Sequence, residues 1–176
     1  MSKIAVLCND GVEEIECLTV VDFCRRAGIE VITVSVTGKR QIMGAHQIVF
    51  HADEVYADMN FDEFDGIVYP GGPGTGAMGE KPGVKELAQK FLNNGKMLAA
   101  ICAAPGMISE TGILKEKHAT GYPGCKPEGG AIWSEDAAVV DGNLVTGKGP
   151  GAAAEFAIEI IRYLAGDIKA EQIRTS

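Results

Sequence analysis

The residues best placed to do chemistry are one cysteine, one group of acids and one glycine turn. Cys102 ends the apolar run "KMLAAI" and is followed by the small residues and proline of "AAPGM". A core cysteine belongs inside such a run. One at its carboxyl end, beside Ala103, Ala104 and Pro105, sits where a strand must bend sharply into a helix, and small neighbours keep that bend clear. Hydrolase elbows present a nucleophile at the top of a sheet in this way. A thiol at the positive end of a helix can fall from a pKa of about 8.5 into the 3.5–7.5 range. The expectation is therefore a sulfur ionised at neutral pH, nucleophilic and easily oxidised.

Carbonyl chemistry at that sulfur needs donors for a developing oxyanion. "VYPGG" ends another buried run, so the backbone N–H groups of Gly71 and Gly72 could supply them. The plainer reading is a turn that needs positive φ. A thiol also needs a proton partner, and "GVEEIE" offers Glu13, Glu14 and Glu16. Glu16 shares a helical face with apolar residues better than the other two, which makes it the candidate to point inward. The competing reading is a solvated helix start whose acids complement the dipole.

These groups need a scaffold. "KIAVLC" reads as a strand buried on both faces. Residues 13–28 follow as a helix, with Ile15, Leu18 and Val21, and also Cys17, Val20 and Cys24, at helical spacing and Gly28 as its stop. "EVITVSV", "IVFH", "GIVYPGG" and "KMLAAI" read as further strands. "PGVKELAQKFLNNG", "APGMISETG" and "GAAAEFAIEIIRYLAG" read as helices, "HATGYPG" as a strand and "AAVVDGNLVTG" as a hairpin. Strands alternating with helices predict an α/β domain with a mostly parallel sheet, whose ligands bind beyond the carboxyl ends of the strands.

At 176 residues one domain spanning 1–176 is expected, large enough to bury roughly 70% of its unfolded surface without staples. Sixteen basic against 24 acidic residues leave a net charge of −8, which argues against nucleic acid or an anionic membrane as partner. No run approaches the roughly 20 apolar residues of a membrane span, and the first residues lack a signal-peptide core. The five cysteines are odd in number and show no CxxC spacing, which speaks against a disulfide framework or a zinc knuckle. A reduced, cytoplasmic protein is the expectation. Cys8, Cys17 and Cys24 read as core, whereas Cys125, in the loop "GYPGCKPEGG", is either a resolving thiol for an oxidised Cys102 or a loop position of no consequence.

Two motif look-alikes fail. "GTGAMG" matches GxGxxG, but Pro82 interrupts soon after and the next strand ends in Cys102 rather than an acid. "GNLVTGKG" resembles a P-loop, yet glycine follows Lys148 where a magnesium-binding hydroxyl is needed.

Taken together, "GVEEIE", "RRAGIEV", "VYPGGPG", "AAICAAPG", "TGYPG" and "KGPGAAAEFA" resemble the ThiJ/PfpI superfamily, and within it the small single-domain branch of parkinsonism-associated (DJ-one-like) deglycases. The likeness runs from Lys3 to about Gly166. It implies a flavodoxin-like α/β sandwich, usually homodimeric, that needs no metal or organic cofactor. It places the reactive cysteine on Cys102 and the acid bonded to it on Glu16, with backbone donors at Gly71, Gly72 and Ala103. Where many relatives carry a histidine, this chain has Tyr122, which cannot serve as a base at neutral pH because a phenol titrates near 10. His46 either lines the site or is a surface histidine. Lys148 replaces a frequent arginine and keeps the charge without the bidentate fork.

The resemblance implies a cysteine-dependent enzyme acting on small reactive dicarbonyls, glyoxalase-like or deglycase-like. The alternative is a non-enzymatic redox sensor or chaperone-like dimer. A peptidase or amide hydrolase is the weakest reading because the histidine is missing.

Overall fold

The computed structural model describes residues 1–176. In chain order the elements are β1 (Lys3–Cys8), α1 (Glu14–Arg26), β2 (Glu30–Ser35), β3 (Gln41–Met43), β4 (Val49–His51), β5 (Glu54–Val55) and β6 (Gly66–Tyr69). There follow α2 (Thr75–Gly79), α3 (Val84–Asn93), β7 (Met97–Ile101), α4 (Ala104–Ser109), β8 (His118–Thr120) and β9 (Ile132–Ser134). The chain closes with β10 (Ala138–Asp141), β11 (Leu144–Gly147), α5 (Ala153–Ala165) and α6 (Asp167–Arg174).

Seven strands form one sheet in the order β10-β11-β7-β6-β1-β2-β5. All its pairs are parallel except the β10–β11 hairpin. The central strands are apolar without a break because both faces are core. Ile4, Val6 and Cys8 of β1 join one cluster of 25 buried residues, and Ala5 and Leu7 join the opposite cluster of 21. Helices α1, α5 and α6 cover the first face, while α2, α3 and α4 cover the second. In α5 the buried stripe Phe156, Ala157, Ile160 and Ile161 repeats at helical spacing. The result is the flavodoxin-like three-layer α/β sandwich that the alternation predicts.

The strand order fixes where a ligand can go. The chain leaves β1 for β2 on one side and later returns to β6 on the other. The connections therefore diverge between β1 and β6, and a crevice opens at their carboxyl ends. Glycines 71 and 72 leave β6 at that point, the loop into α1 leaves β1 beside them, and Cys102 leaves the adjacent β7.

Several elements differ from the sequence reading. Residues 41–43 pair with 49–51 as a separate two-stranded hairpin, and 132–134 pair in parallel with 118–120. Residues 49–51 and 118–120 fall within runs read as strands, whereas their partners 41–43 and 132–134 are three residues long, too short for periodicity to betray them. "GTGAMG" is not a bare turn: Thr75–Gly79 is a short helix. A last helix, Asp167–Arg174, follows Gly166, and its buried Ala170 packs with the α1/α5 layer. Within α1 the buried residues are Glu14, Glu16, Cys17, Val20, Val21 and Cys24. Ile15, assigned to the apolar face, is instead 54% exposed.

Candidate active site

Cys102 follows β7 directly and adopts φ +66°, the left-handed region that side chains with a Cβ seldom occupy. A residue stays in such a conformation only when its surroundings over-determine it. Two hydrogen bonds do so here. The Cys102 N–H donates to the Gly147 carbonyl at 3.0 Å, and the Cys102 carbonyl accepts the Tyr122 N–H at 2.8 Å. β11 and the loop after β8 thus hold the bend from both sides. Ala103 precedes α4, and Pro105 lies in its first turn, where a missing N–H costs nothing.

Glu16 reaches the same point from α1 and is fully buried, at 0% exposure. Its Oε2 accepts the Gly71 N–H at 2.9 Å, and its Oε1 has no hydrogen-bond partner. Gly71 is required for space rather than for backbone conformation. A Cβ there would lie 2.6 Å from the Cys102 Cβ and 2.8 Å from both Glu16 Oε2 and the Ile101 carbonyl. Gly72 is the residue that needs its conformation, with φ +110°. Cys102 and Glu16 therefore converge over a glycine that has no room for a side chain.

The expected donors divide. Gly71 is not available to a ligand, because its N–H is committed to Glu16. The backbone amides of Gly72 and Ala103 act on the Cys102 thiol and favour its ionised form. Both residues also line a cavity of about 460 Å³, together with Thr75, Lys85, Glu110 and Cys125. No histidine lines it.

The ionisation state departs from the sequence expectation. Burial, and then the negative charge of Glu16, push the Cys102 thiol up to about 12, against the two amides. Cys102 is only 7% exposed, and the helix that follows it has six residues, too few for a strong dipole. Burial likewise pushes Glu16 up to about 7, with Cys102 and the Gly71 N–H opposing the rise. Desolvation governs both groups, so the pair gives up its first proton near neutrality and resists losing its second.

The remaining candidates lie elsewhere. Tyr122 is joined to the elbow through its backbone only. Its ring, with Lys148, lines a neighbouring cleft of about 530 Å³ that also contains Glu135. Lys148 is paired there with Glu135 at 3.1 Å. His46 does not line the cavity beside Gly72 and Ala103. Its Nδ1 lies 3.2 Å from Glu14 Oε2, and its pKa is raised by Glu14 first and then by Glu13. Cys8, Cys17 and Cys24 are core, as expected, and Cys125 is half-buried on the cavity wall. Glu14 is the residue that sequence reasoning missed. It is almost wholly buried and accepts the N–H groups of His46 and Ile48 at 2.8 and 3.3 Å, which ties the β3–β4 hairpin to α1. Its spacing of three and seven residues from the buried Cys17 and Val21 carried the signal.

A carboxyl raised to about 7 in the fold is favoured in its protonated form. Its contribution to stability is complete below the unfolded pKa of 4.5 and is lost as pH rises toward 7. Glu16→Gln keeps an acceptor for Gly71 and carries no charge. We expect this variant to be more stable than the parent above pH 7 by about 3 kcal/mol, the gap closing toward pH 4.5. Urea unfolding at pH 5 and pH 8 measures it, and a gap independent of pH would contradict the burial account.

With this geometry in place, comparison with known proteins gives a consistent result. The DJ-1/PfpI family model matches residues 2–163. Protein dj-1beta of Drosophila melanogaster is 38% identical over 178 residues, covering 98% of this chain and 95% of that protein. Its crystal structure superposes with a TM-score of 0.93 at 36% identity, over 99% of this chain and 97% of that one. A glutathione-independent glyoxalase of Caenorhabditis elegans is 32% identical, covering 98% of this chain and 93% of the relative. A deglycase of Pyrococcus abyssi is 31% identical, covering 92% and 99%. On its sequence and its fold alike, the chain belongs to the DJ-1/PfpI family.

Proposed function

We propose that the protein is a cofactor-free enzyme that converts small reactive dicarbonyls such as methylglyoxal to 2-hydroxy acids through Cys102 and Glu16. The observation that carries this reading is the fully buried Glu16 carboxyl, which meets Cys102 over Gly71 and has one oxygen left unpaired. The names glyoxalase and deglycase on relatives that align over nearly the whole chain support the substrate class.

The chemistry follows from the proton inventory. Near pH 7 the pair loses its first proton, from Glu16, which leaves a carboxylate beside a neutral thiol. Glu16 takes the thiol proton as the sulfur attacks the aldehyde carbon, so a free thiolate never has to form. A base titrating near the working pH is the efficient choice for that transfer. The carbonyl oxygen becomes an oxyanion facing the amides of Gly72 and Ala103. In the resulting hemithioacetal a proton leaves the former aldehyde carbon and another is delivered to the neighbouring carbonyl carbon, with Glu16 as the shuttle. The product is a thioester of lactate. Water cleaves it, returning the thiol and releasing lactate, so methylglyoxal and water are consumed with no net oxidation.

Lactate assays with purified protein test this directly. Cys102→Ser should abolish turnover, and Glu16→Gln should lower kcat/KM by about 10²–10⁴-fold. In the parent, kcat/KM should rise with pH through about 7, and that inflection should vanish in Glu16→Gln. Full turnover by Cys102→Ser would overturn the mechanism.

A second reading, redox sensing, draws on the same geometry. Oxidation of Cys102 to a sulfinate would place its oxygens against the Gly72 and Ala103 amides and the protonated Glu16. Intact mass after mild peroxide should show two added oxygen atoms on Cys102. An unmodified Cys102 would remove this reading.

We also propose that the working form is a homodimer. Ile15 of α1 and Met43, Ile48 and Val49 of the β3–β4 hairpin are large, apolar and roughly half exposed. Glu14 fastens that hairpin to α1, which makes the surface continuous. Sedimentation should show a dimer that Ile48→Glu converts to monomer; a monomeric parent would refute the assignment.

A further inference from the structure

Two carboxylates stand together at the start of α1, opposite a single imidazole. The side chains of Glu13 and Glu14 are 13% and 5% exposed, and that of His46 is 70% exposed. His46 Nδ1 lies 3.2 Å from Glu14 Oε2 and 3.5 Å from Glu13 Oε1. One ligand atom from each of the three residues lies within 4.8 Å of the others. The two acids have no cationic partner other than His46.

The arrangement is preformed. Glu14 Oε1 is occupied by the N–H groups of His46 and Ile48, so Oε2 is held toward the imidazole and has no other partner. Gly44 packs against that carboxylate so closely that a side chain at position 44 would collide with it. The backbone N–H of Glu13 is fixed on the Gly71 carbonyl at 3.0 Å, and its carboxylate accepts no hydrogen bond from a backbone or side-chain N–H other than through His46. Two carboxyl groups held side by side favour a cation between them, and the imidazole of His46 is the one basic group paired with both.

We infer that Glu13, Glu14 and His46 form a binding site for a divalent transition-metal cation of the zinc class. The cation would take His46 Nδ1 and one oxygen from each carboxylate, which leaves one position for a further ligand at the edge of the surface proposed above for the dimer. Ligands at about 2.0–2.2 Å from a tetrahedral zinc lie roughly 3.3–3.5 Å from one another, close to the 3.2 and 3.5 Å separations from His46 to the two carboxylates. Two carboxylates balance the two charges of the ion. An imidazole nitrogen suits zinc, cobalt or nickel and is a poor ligand for magnesium or calcium, which take oxygen. The site uses none of the groups that act at Cys102, so it stands or falls independently of the dicarbonyl reading.

Calorimetric titration with zinc chloride tests the inference. It is run on the parent and on a Cys102→Ser/Cys125→Ser background, because accessible thiols also bind zinc. On that background we expect one Zn²⁺ per chain. His46→Ala and Glu13→Gln should each weaken binding at least about tenfold, the loss seen when even an outer partner of a zinc ligand is removed. Both substitutions are at residues that no backbone group uses through its side chain, and circular dichroism checks that the fold is kept. Titration with Co²⁺ should give a visible absorption band that is lost in His46→Ala. Absence of zinc binding on the thiol-free background would overturn the inference, and so would an affinity that either substitution leaves unchanged.

Discussion

One hydrogen bond, from the Gly71 amide to a carboxyl buried in the protein, ties together the parts of this molecule on which everything else depends. Glu16 belongs to the layer formed by α1, α5 and α6, Gly71 leaves β6, and Cys102 leaves β7. The bond therefore joins a helix to the carboxyl edge of two strands, and it does so at the point where the strand order reverses. A charged group in that position would be costly, because it has been taken out of water with one of its oxygens unpaired. Proton uptake lowers the cost, and the same uptake makes the carboxyl titrate near neutrality. Structure and chemistry are thus settled by the same desolvation.

The site is expensive in other ways. Cys102 holds a left-handed backbone, and Gly71 and Gly72 give up side-chain packing so that the turn can close on the loop before α1. Strain and unpaired groups of this kind persist where a rigid frame over-determines them. The frame is plain here: two buried clusters on either face of the sheet, with Ile101 at the end of β7 meeting Phe156 of α5 over Gly147. Gly147 also accepts the N–H of Cys102. The packing that fills the core therefore also sets the elbow's backbone.

Legibility in the sequence followed the length of the signal. The long apolar runs of β1, β6 and β7 and the punctuated helices α3 and α5 could be read because each repeats its pattern over several residues. The three-residue strands β3 and β9 could not, since their pairing is decided by tertiary contacts rather than by local pattern. Cys102 was legible because its position at a strand end is anomalous for a core thiol. Glu16 was legible in part, because it shared a face with Cys17 and Val20. The electrostatics were not legible. Sequence places a thiol near a helix start and the family resemblance sets Glu16 beside it, but neither shows how deeply both groups are buried. That burial, ahead of the charge of Glu16, reverses the direction of the thiol's shift. The same limit concealed Glu14, whose partners come from residues more than thirty positions away.

A thiol that is hard to ionise bears on the choice between turnover and sensing. Oxidation by peroxide needs thiolate, and a sulfur pushed toward 12 supplies little of it at rest. Attack on a carbonyl has no such requirement, provided a base removes the proton during the attack, and in the proposed mechanism Glu16, raised to about 7, is that base. Burial therefore penalises the sensor, which depends on an equilibrium population, more than the enzyme, which depends on a concerted transfer. The balance would shift only if Glu16 held its proton while Cys102 lost its own. The Gly72 and Ala103 amides favour that arrangement and the surrounding hydrocarbon opposes it. The competition between two amide dipoles and desolvation, at a single sulfur, is what separates the two proposed chemistries.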